Sequence, residues 1–159
     1  MNGPRYVSVI GAGTATEREL SLAWSVGRAI AEAGHILVCG GLGGVMEAAA
    51  KGSAETGGTS VGILPTDDRT PANPYLTVTV PTGFSHGRNY LVVKAGDGVI
   101  AVGGGAGTMS EIGLAMKLGR PIVLLASLDV EALGVTHPKL RRAETATEAL
   151  ELLFGRVQE

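Results

Sequence analysis

Val99-Ile100-Ala101-Val102-Gly103-Gly104-Gly105-Ala106-Gly107-Thr108-Met109-Ser110-Glu111 decides the reading of this chain. Four apolar residues, three of them β-branched, stop abruptly at three consecutive glycines. The pattern from Thr108 to Leu118 then turns helical. A short apolar run without polar alternation is the signature of a strand buried on both faces, and a helix directly after it points to a parallel sheet. The same succession occurs twice upstream. Tyr6 to Ile10 reads as a strand, ends in Gly11-Ala12-Gly13-Thr14, and is followed by a helix from Thr16 to Ala33 that Gly34 closes. Ile36 to Cys39 reads as a second strand, ends in Gly40-Gly41-Leu42-Gly43-Gly44, and is followed by a helix to Glu55. The second and third turns share Gly-Gly-x-Gly-x-x-x-Glu, starting at Gly40 and Gly104, an echo too short for a repeat architecture.

Outward from these units the rhythm continues. Thr59 to Leu64 is an expected strand, and the Pro-, Asp- and Thr-rich segment Pro65 to Pro74 an expected surface loop. Leu76 to Val80 alternates like a strand, Ser85 to Ala95 has helical spacing, and Ile122 to Leu125 is another apolar strand. Lys139 to Ala143 reads as a short edge strand. Thr145-x-x-Glu148 has capping-box spacing at the start of a helix that runs through Phe154. Alternating strands and helices imply one α/β domain over residues 1–159. It has a mainly parallel sheet between two helical layers, an α/β/α arrangement.

Composition narrows the function. The 159 residues are enough to bury a core, and 25 of them are glycine, well above the usual share of about 7%. With a net charge of −2, there is no basic surplus to neutralise a polymer's phosphates, so no nucleic acid polymer is expected as the main partner. No apolar run approaches the ~18 residues of a membrane span, and the N-terminal residues lack a signal peptide's apolar region, so a cytoplasmic protein is expected. The low charged fraction, 18%, favours a homo-oligomer. Cys39 is the single cysteine, and His35, His86 and His137 lack metal-ligand spacing, so no metal site is expected.

Glycine at strand ends has two uses. It permits positive φ in a tight turn, and it lets a ligand reach backbone N–H groups that no Cβ shields. A helix N-terminus behind the turn adds unpaired donors and partial positive charge. The candidate phosphate-binding residues are therefore Gly11, Gly13, Thr14, Gly40, Gly41, Gly43, Gly44, Gly103, Gly104, Gly105, Gly107 and Thr108. No P-loop sequence occurs, the first turn lacks the third glycine of the dinucleotide fingerprint, and no acid ends the second strand to hold a ribose. Arg88, next to Asn89 at the start of a helix, opposes the helix dipole unless an anion sits there, and its fork suits a phosphate. Glu111 has two readings. Thr108-x-x-Glu111 has capping-box spacing, which would give Glu111 a structural role. Its place beyond the densest glycine cluster would instead let it stabilise charge on a ribose carbon or act as a base toward water. Glu47 occupies the equivalent position after the second cluster, so both acids are expected on one cleft. The methionines beside them read as helix packing.

These residues resemble a known family. Gly103 to Glu111 is similar to the Pro-Gly-Gly-x-Gly-Thr-x-x-Glu motif of the LOG proteins, long labelled "possible lysine decarboxylase", and Gly40 to Met46 is similar to their other glycine-rich motif. Gly87-Arg88-Asn89 and the Val-Gly-Gly-Gly opening resemble more closely the molybdenum-cofactor-carrier-like branch. The resemblance covers roughly residues 5–125 and implies a modified Rossmann fold, commonly in an oligomer. It implies that Arg88 and Glu111 are the catalytic pair of a hydrolase that cleaves the N-glycosidic bond of nucleoside 5′-monophosphates. Val102 stands where the enzymes have Pro, and Asn89 where they usually have Lys. The carrier-like relatives imply binding of molybdenum cofactor, a phosphate-bearing pterin, with no cofactor required for a reaction. The lysine decarboxylase label needs a Schiff-base lysine, and none stands at a glycine-rich strand end. The expected function is carrier-like binding of a phosphate-bearing small molecule, with phosphoribohydrolase activity as the alternative. A third reading is a nucleotide-sensing subunit with the Pro65–Pro74 loop as its lid or switch.

Overall fold

The computed structural model describes residues 3–155, so Met1, Asn2 and residues 156–159, on which parts of the terminal expectations fall, lie outside it. The strands are β1 (Tyr6–Gly11), β2 (Ile36–Cys39), β3 (Thr59–Leu64), β4 (Val78–Pro81), β5 (Gly98–Val102), β6 (Ile122–Leu125) and β7 (Leu140–Ala143). The helices are α1 (Glu17–Glu32), α2 (Val45–Glu55), α3 (Arg88–Ala95), α4 (Ala106–Lys117) and α5 (Ala146–Phe154). The seven strands form one sheet in the order β4-β3-β2-β1-β5-β6-β7, and every pairing is parallel.

Each central strand buries both faces. Val7, Val9, Ile100 and Val102 point into a core with Ala23, Val26, Ile30 and Ala49 of α1 and α2 and Ala149 of α5. Ile10, Val99 and Ala101 point the other way, onto Val92 and Val93 of α3 and Ile112 and Ala115 of α4. This alternation along continuous apolar runs makes three layers. Each fully buried Val, Leu or Ile contributes about 1.5–3 kcal/mol, and Ile30, Leu37, Ile100, Ile112, Leu124 and Leu125 are among them.

Local details differ from the sequence expectations. Gly103 and Gly104 take φ of +56° and +121°, which completes the turn within three residues, so α4 starts at Ala106 rather than Thr108. Residues Ser85–Gly87 form a 3₁₀ turn, and α3 begins only at Arg88. Strand β4 starts at Val78, opposite Val61, rather than at Leu76, whose side chain packs against Gly62. The capping box of α1 is Thr16 with Glu19: Glu19 N donates to Thr16 Oγ1 at 3.2 Å and Thr16 N to Glu19 Oε2 at 3.0 Å. Thr145 caps α5 by accepting from Glu148 N at 3.2 Å, while the Glu148 carboxylate accepts from Glu144 N at 2.8 Å. Among the described residues no helix is long and apolar enough to cross a membrane.

Helices α1 and α2 touch backbone to backbone. A Cβ at Gly27 would lie 1.8 Å from the Ala49 carbonyl oxygen, and one at Gly52 2.1 Å from that of Trp24. A Cβ at Gly113, on the outer face of α4, would meet nothing within 4 Å. Gly27→Ala is expected to cost at least about 2 kcal/mol, because rigid backbone must separate. Gly113→Ala is expected to stabilise by about 0.5–1 kcal/mol through helix propensity. Urea unfolding of the two variants checks the contrast.

Candidate functional site

Parallel strands end on one edge of the sheet, so all three glycine turns emerge there. Strand order reverses beside β1: the chain runs outward from β1 to β4 and then returns to place β5 on the other side. Ligands of open α/β sheets bind outside the strand ends at such a switch point. Gly11 pairs with Val102, which sets the first and third turns side by side. Between them lies a cleft of about 290 Å³, bordered by Gly11, Gly13, Gly40, Gly105, Gly107, Thr108, Arg88, Asn89 and Glu111.

Arg88 is the first residue of α3 and is only 8% exposed. Its Nη2 reaches the Gly40 carbonyl at a marginal 3.5 Å, and its Nη1 donates to Asn89 Oδ1. Its Nε is buried without a partner. A Cβ at residue 40 would stand 2.7 Å from Nη2, so glycine there makes room for the guanidinium. Burial lowers the Arg88 pKa and Glu111 opposes that. Arginine nevertheless stays charged, so the site holds a desolvated cation with a donor to spare, and an anion would satisfy both.

Glu111 does not cap its helix. Gly105 is the N-cap of α4, no side chain caps that end, and Thr108 lies inside the first turn, 3% exposed. The glycine turn starts the helix early and so moves Glu111 a turn inward, where its carboxylate faces the cleft and the field of Arg88. Burial pushes its pKa up to about 7, against the lowering effect of Arg88. A carboxyl group with that pKa can accept or donate a proton near neutrality.

The other sequence candidates divide by position. Gly103 packs against Glu19, whose carboxyl carbon would be 2.4 Å from a Cβ there, and Gly104 packs against Thr108. Gly41 packs against Leu64 and Gly62. Gly44, at φ +64°, crosses the first turn so closely that a Cβ would be 2.2 Å from the Ala12 carbonyl oxygen, which accepts from Val45 N at 3.1 Å. These glycines shape the turns rather than border the cleft. Thr14, Gly44 and Glu47 border an adjoining shelf, so Glu47 and Glu111 do not share the cleft. Gly43 has only the Gly13 carbonyl oxygen and the Glu47 carboxylate near its Cβ position.

Met46 packs into the core as read from the sequence, and it also borders the cleft, as do Val9, Ile10 and Ala12. The flanking glycines at 11 and 13 were the available signal for Ala12; Met46 had none. Asn73 was also missed. Its N donates to Gly41 O and its Nδ2 to Leu42 O, both at 3.0 Å, which ties the Pro65–Pro74 loop to the second glycine turn. The Cys39 thiol is buried and pushed up to about 11, so it is no nucleophile.

Glu111 gives the site a pH signature. Between the ordinary carboxyl value of 4.5 and about 7, the folded chain holds a proton there that the unfolded chain has released. The contribution of Glu111 to stability therefore falls as pH rises through that window. Glu111→Gln is expected to remove this slope and to exceed the wild type at pH 8 by about 2 kcal/mol, as urea unfolding at pH 5 and pH 8 would read out.

Residues 4–152 match the model of the SLOG cluster4 family. An uncharacterized protein from Archaeoglobus fulgidus is 45% identical over 119 residues, covering 75% of this chain and 78% of its own. A cytokinin riboside 5′-monophosphate phosphoribohydrolase from Rhodococcoides fascians is 38% identical over 94 residues, covering 57% of this chain and 48% of its own. Among solved structures, the molybdenum cofactor binding protein from Rippkaea orientalis superimposes with a TM-score of 0.88 at 32% identity, over 96% of each chain. The molybdenum cofactor carrier protein from Chlamydomonas reinhardtii gives 0.84 at 29% identity, over 98% of this chain and 100% of its own. The chain belongs to the SLOG cluster4 family, among the LOG-like proteins and close to the molybdenum cofactor carriers.

Proposed function

We propose that this protein binds a phosphate-bearing small molecule in the Arg88 cleft and carries it, with molybdenum cofactor as the leading cargo. The observation that carries this reading is the buried Arg88 guanidinium with its unpartnered Nε, facing a cleft built from glycine turns. The phosphate would take the Arg88 fork and the backbone N–H groups of the turn that opens α4. Asn89 would orient the fork and Thr108 would add a hydroxyl. The full-length likeness to molybdenum cofactor binding and carrier proteins supports the choice of cargo.

A second reading rests on Glu111. Its carboxyl sits in the same cleft as Arg88 with a pKa near neutrality. In a phosphoribohydrolase, Arg88 would hold the nucleoside monophosphate. Glu111 would stabilise the cation that forms at the ribose carbon or take a proton from the attacking water, giving free base and ribose 5-phosphate. The Rhodococcoides fascians relative supports this reading. Lysine decarboxylation has no support, since no lysine borders the cleft. Phe84 and Tyr90, 64% and 43% exposed beside the start of α3, support self-association.

Purified protein incubated with AMP separates the two readings. Carriage predicts thermal stabilisation by AMP or by a pterin phosphate with no base released, and loss of that stabilisation in Arg88→Ala. Hydrolysis predicts adenine release that falls at least 100-fold in Glu111→Ala. Stabilisation that persists unchanged in Arg88→Ala would overturn the placement of the phosphate.

A further inference from the structure

Beside the cleft lies a second recess, of about 520 Å³, bordered by Gly13, Thr14, Ala15, Leu20, Trp24, Gly44, Glu47, Ala48, Lys51 and Tyr75. Gly13 borders both, so the two hollows meet at one residue without a Cβ, where nothing approaches within 4 Å of the Cβ position. We propose that this shelf is a subsite for a planar heteroaromatic ring, the far end of a two-ring ligand whose phosphate is held at Arg88. The ligand class is then a dinucleotide, with its pyrophosphate crossing Gly13. The inference rests on the phosphate reading of the cleft.

The shelf has two aromatic walls, and both are held in place. Trp24 is half-buried on α1, where α1 and α2 meet backbone to backbone through Gly27 and Gly52. Its Nε1 donates to Glu55 Oε2 at 2.8 Å, and the Arg28 guanidinium lies 5.8 Å from its ring centroid. Tyr75 comes from the loop segment that Asn73 anchors. Tyr75 N donates to Asn73 Oδ1 at 3.1 Å, and Lys51 Nζ lies 5.9 Å from its ring centroid. Aromatic side chains fixed by polar partners on a partly open surface are a prepared stacking site. The charge pattern says what stacks there. Glu47 and Lys51 offer an acceptor and a donor at the rim, and Glu55 accepts from Trp24 and pairs with Lys51 Nζ at 3.9 Å. That mixture of acceptor and donor suits the edge of a base, which carries both kinds of hydrogen-bonding group.

Trp24 is the single tryptophan, so its emission reports the shelf directly. The test compares AMP with diadenosine 5′,5′-diphosphate by calorimetry and by Trp24 fluorescence. The expected result is at least tenfold tighter binding of the dinucleotide, with quenching of Trp24 by the dinucleotide but not by AMP. Tyr75→Ala should reduce dinucleotide affinity to that of AMP and leave AMP affinity unchanged, whereas Tyr75→Phe, which keeps the ring, should retain the gain. Equal affinities with unchanged emission would overturn the subsite and leave the cleft reading standing. Failure of both ligands to bind would overturn the cleft reading and the subsite together. A change of oligomeric state in Tyr75→Ala, seen by light scattering, would also overturn it, by showing that a second copy covers the shelf.

Discussion

A guanidinium charge withdrawn from water and given too few acceptors organises this molecule. Arg88 is held at the start of α3 by a glycine that leaves it room, a neighbouring amide and a single marginal carbonyl contact. Desolvating an arginine is unfavourable unless its donors are met, and this one keeps a donor free. The surrounding fold supplies the rigidity that lets such a group persist. A seven-stranded parallel sheet, buried on both faces, fixes the three turns around it. The favourable burial lies in the strands and the unfavourable group at their ends, and that separation lets the cleft stay charged.

The same logic extends to Glu111. Its burial works against its own ionised form, and Arg88 only partly compensates. Because the opposed pair shares a small cleft, a bound phosphate would shift both. It would satisfy the arginine and, by its own negative charge, hold the glutamate proton more firmly. The cleft is therefore sensitive to the charge of what it holds, whether it carries that molecule or cleaves it.

The architecture was legible because β2 and β5 carry uninterrupted apolar runs that stop at glycine, and β1, broken only by Ser8, stops at glycine as well. Strand β5 and its glycines were enough to read a parallel sheet. Arg88 and Glu111 were legible as chemistry out of place, a cation at a helix start and an acid beyond a glycine cluster. The role of Glu111 was not, because capping-box spacing from Thr108 fits the sequence equally well. Only the positive φ of Gly103 and Gly104, which starts α4 two residues early, removes that role. The contributions of Met46 and Asn73 were also out of reach. Met46 serves the core and the cleft at once, and Asn73 bonds to carbonyls about thirty residues away.

The contact between Glu19 and Gly103 has a consequence for how sequences in this family can change. Glu19 completes the cap of α1 and also fills the space that a side chain at 103 would need. The first helix and the third turn therefore cannot vary independently. A side chain at 103 would meet the Glu19 carboxyl group and have to hold a positive φ of +56°, and moving Glu19 aside would give up half of a capping box. Two positions far apart in sequence are thereby coupled, and the third glycine turn and the first helix constrain each other through one side chain.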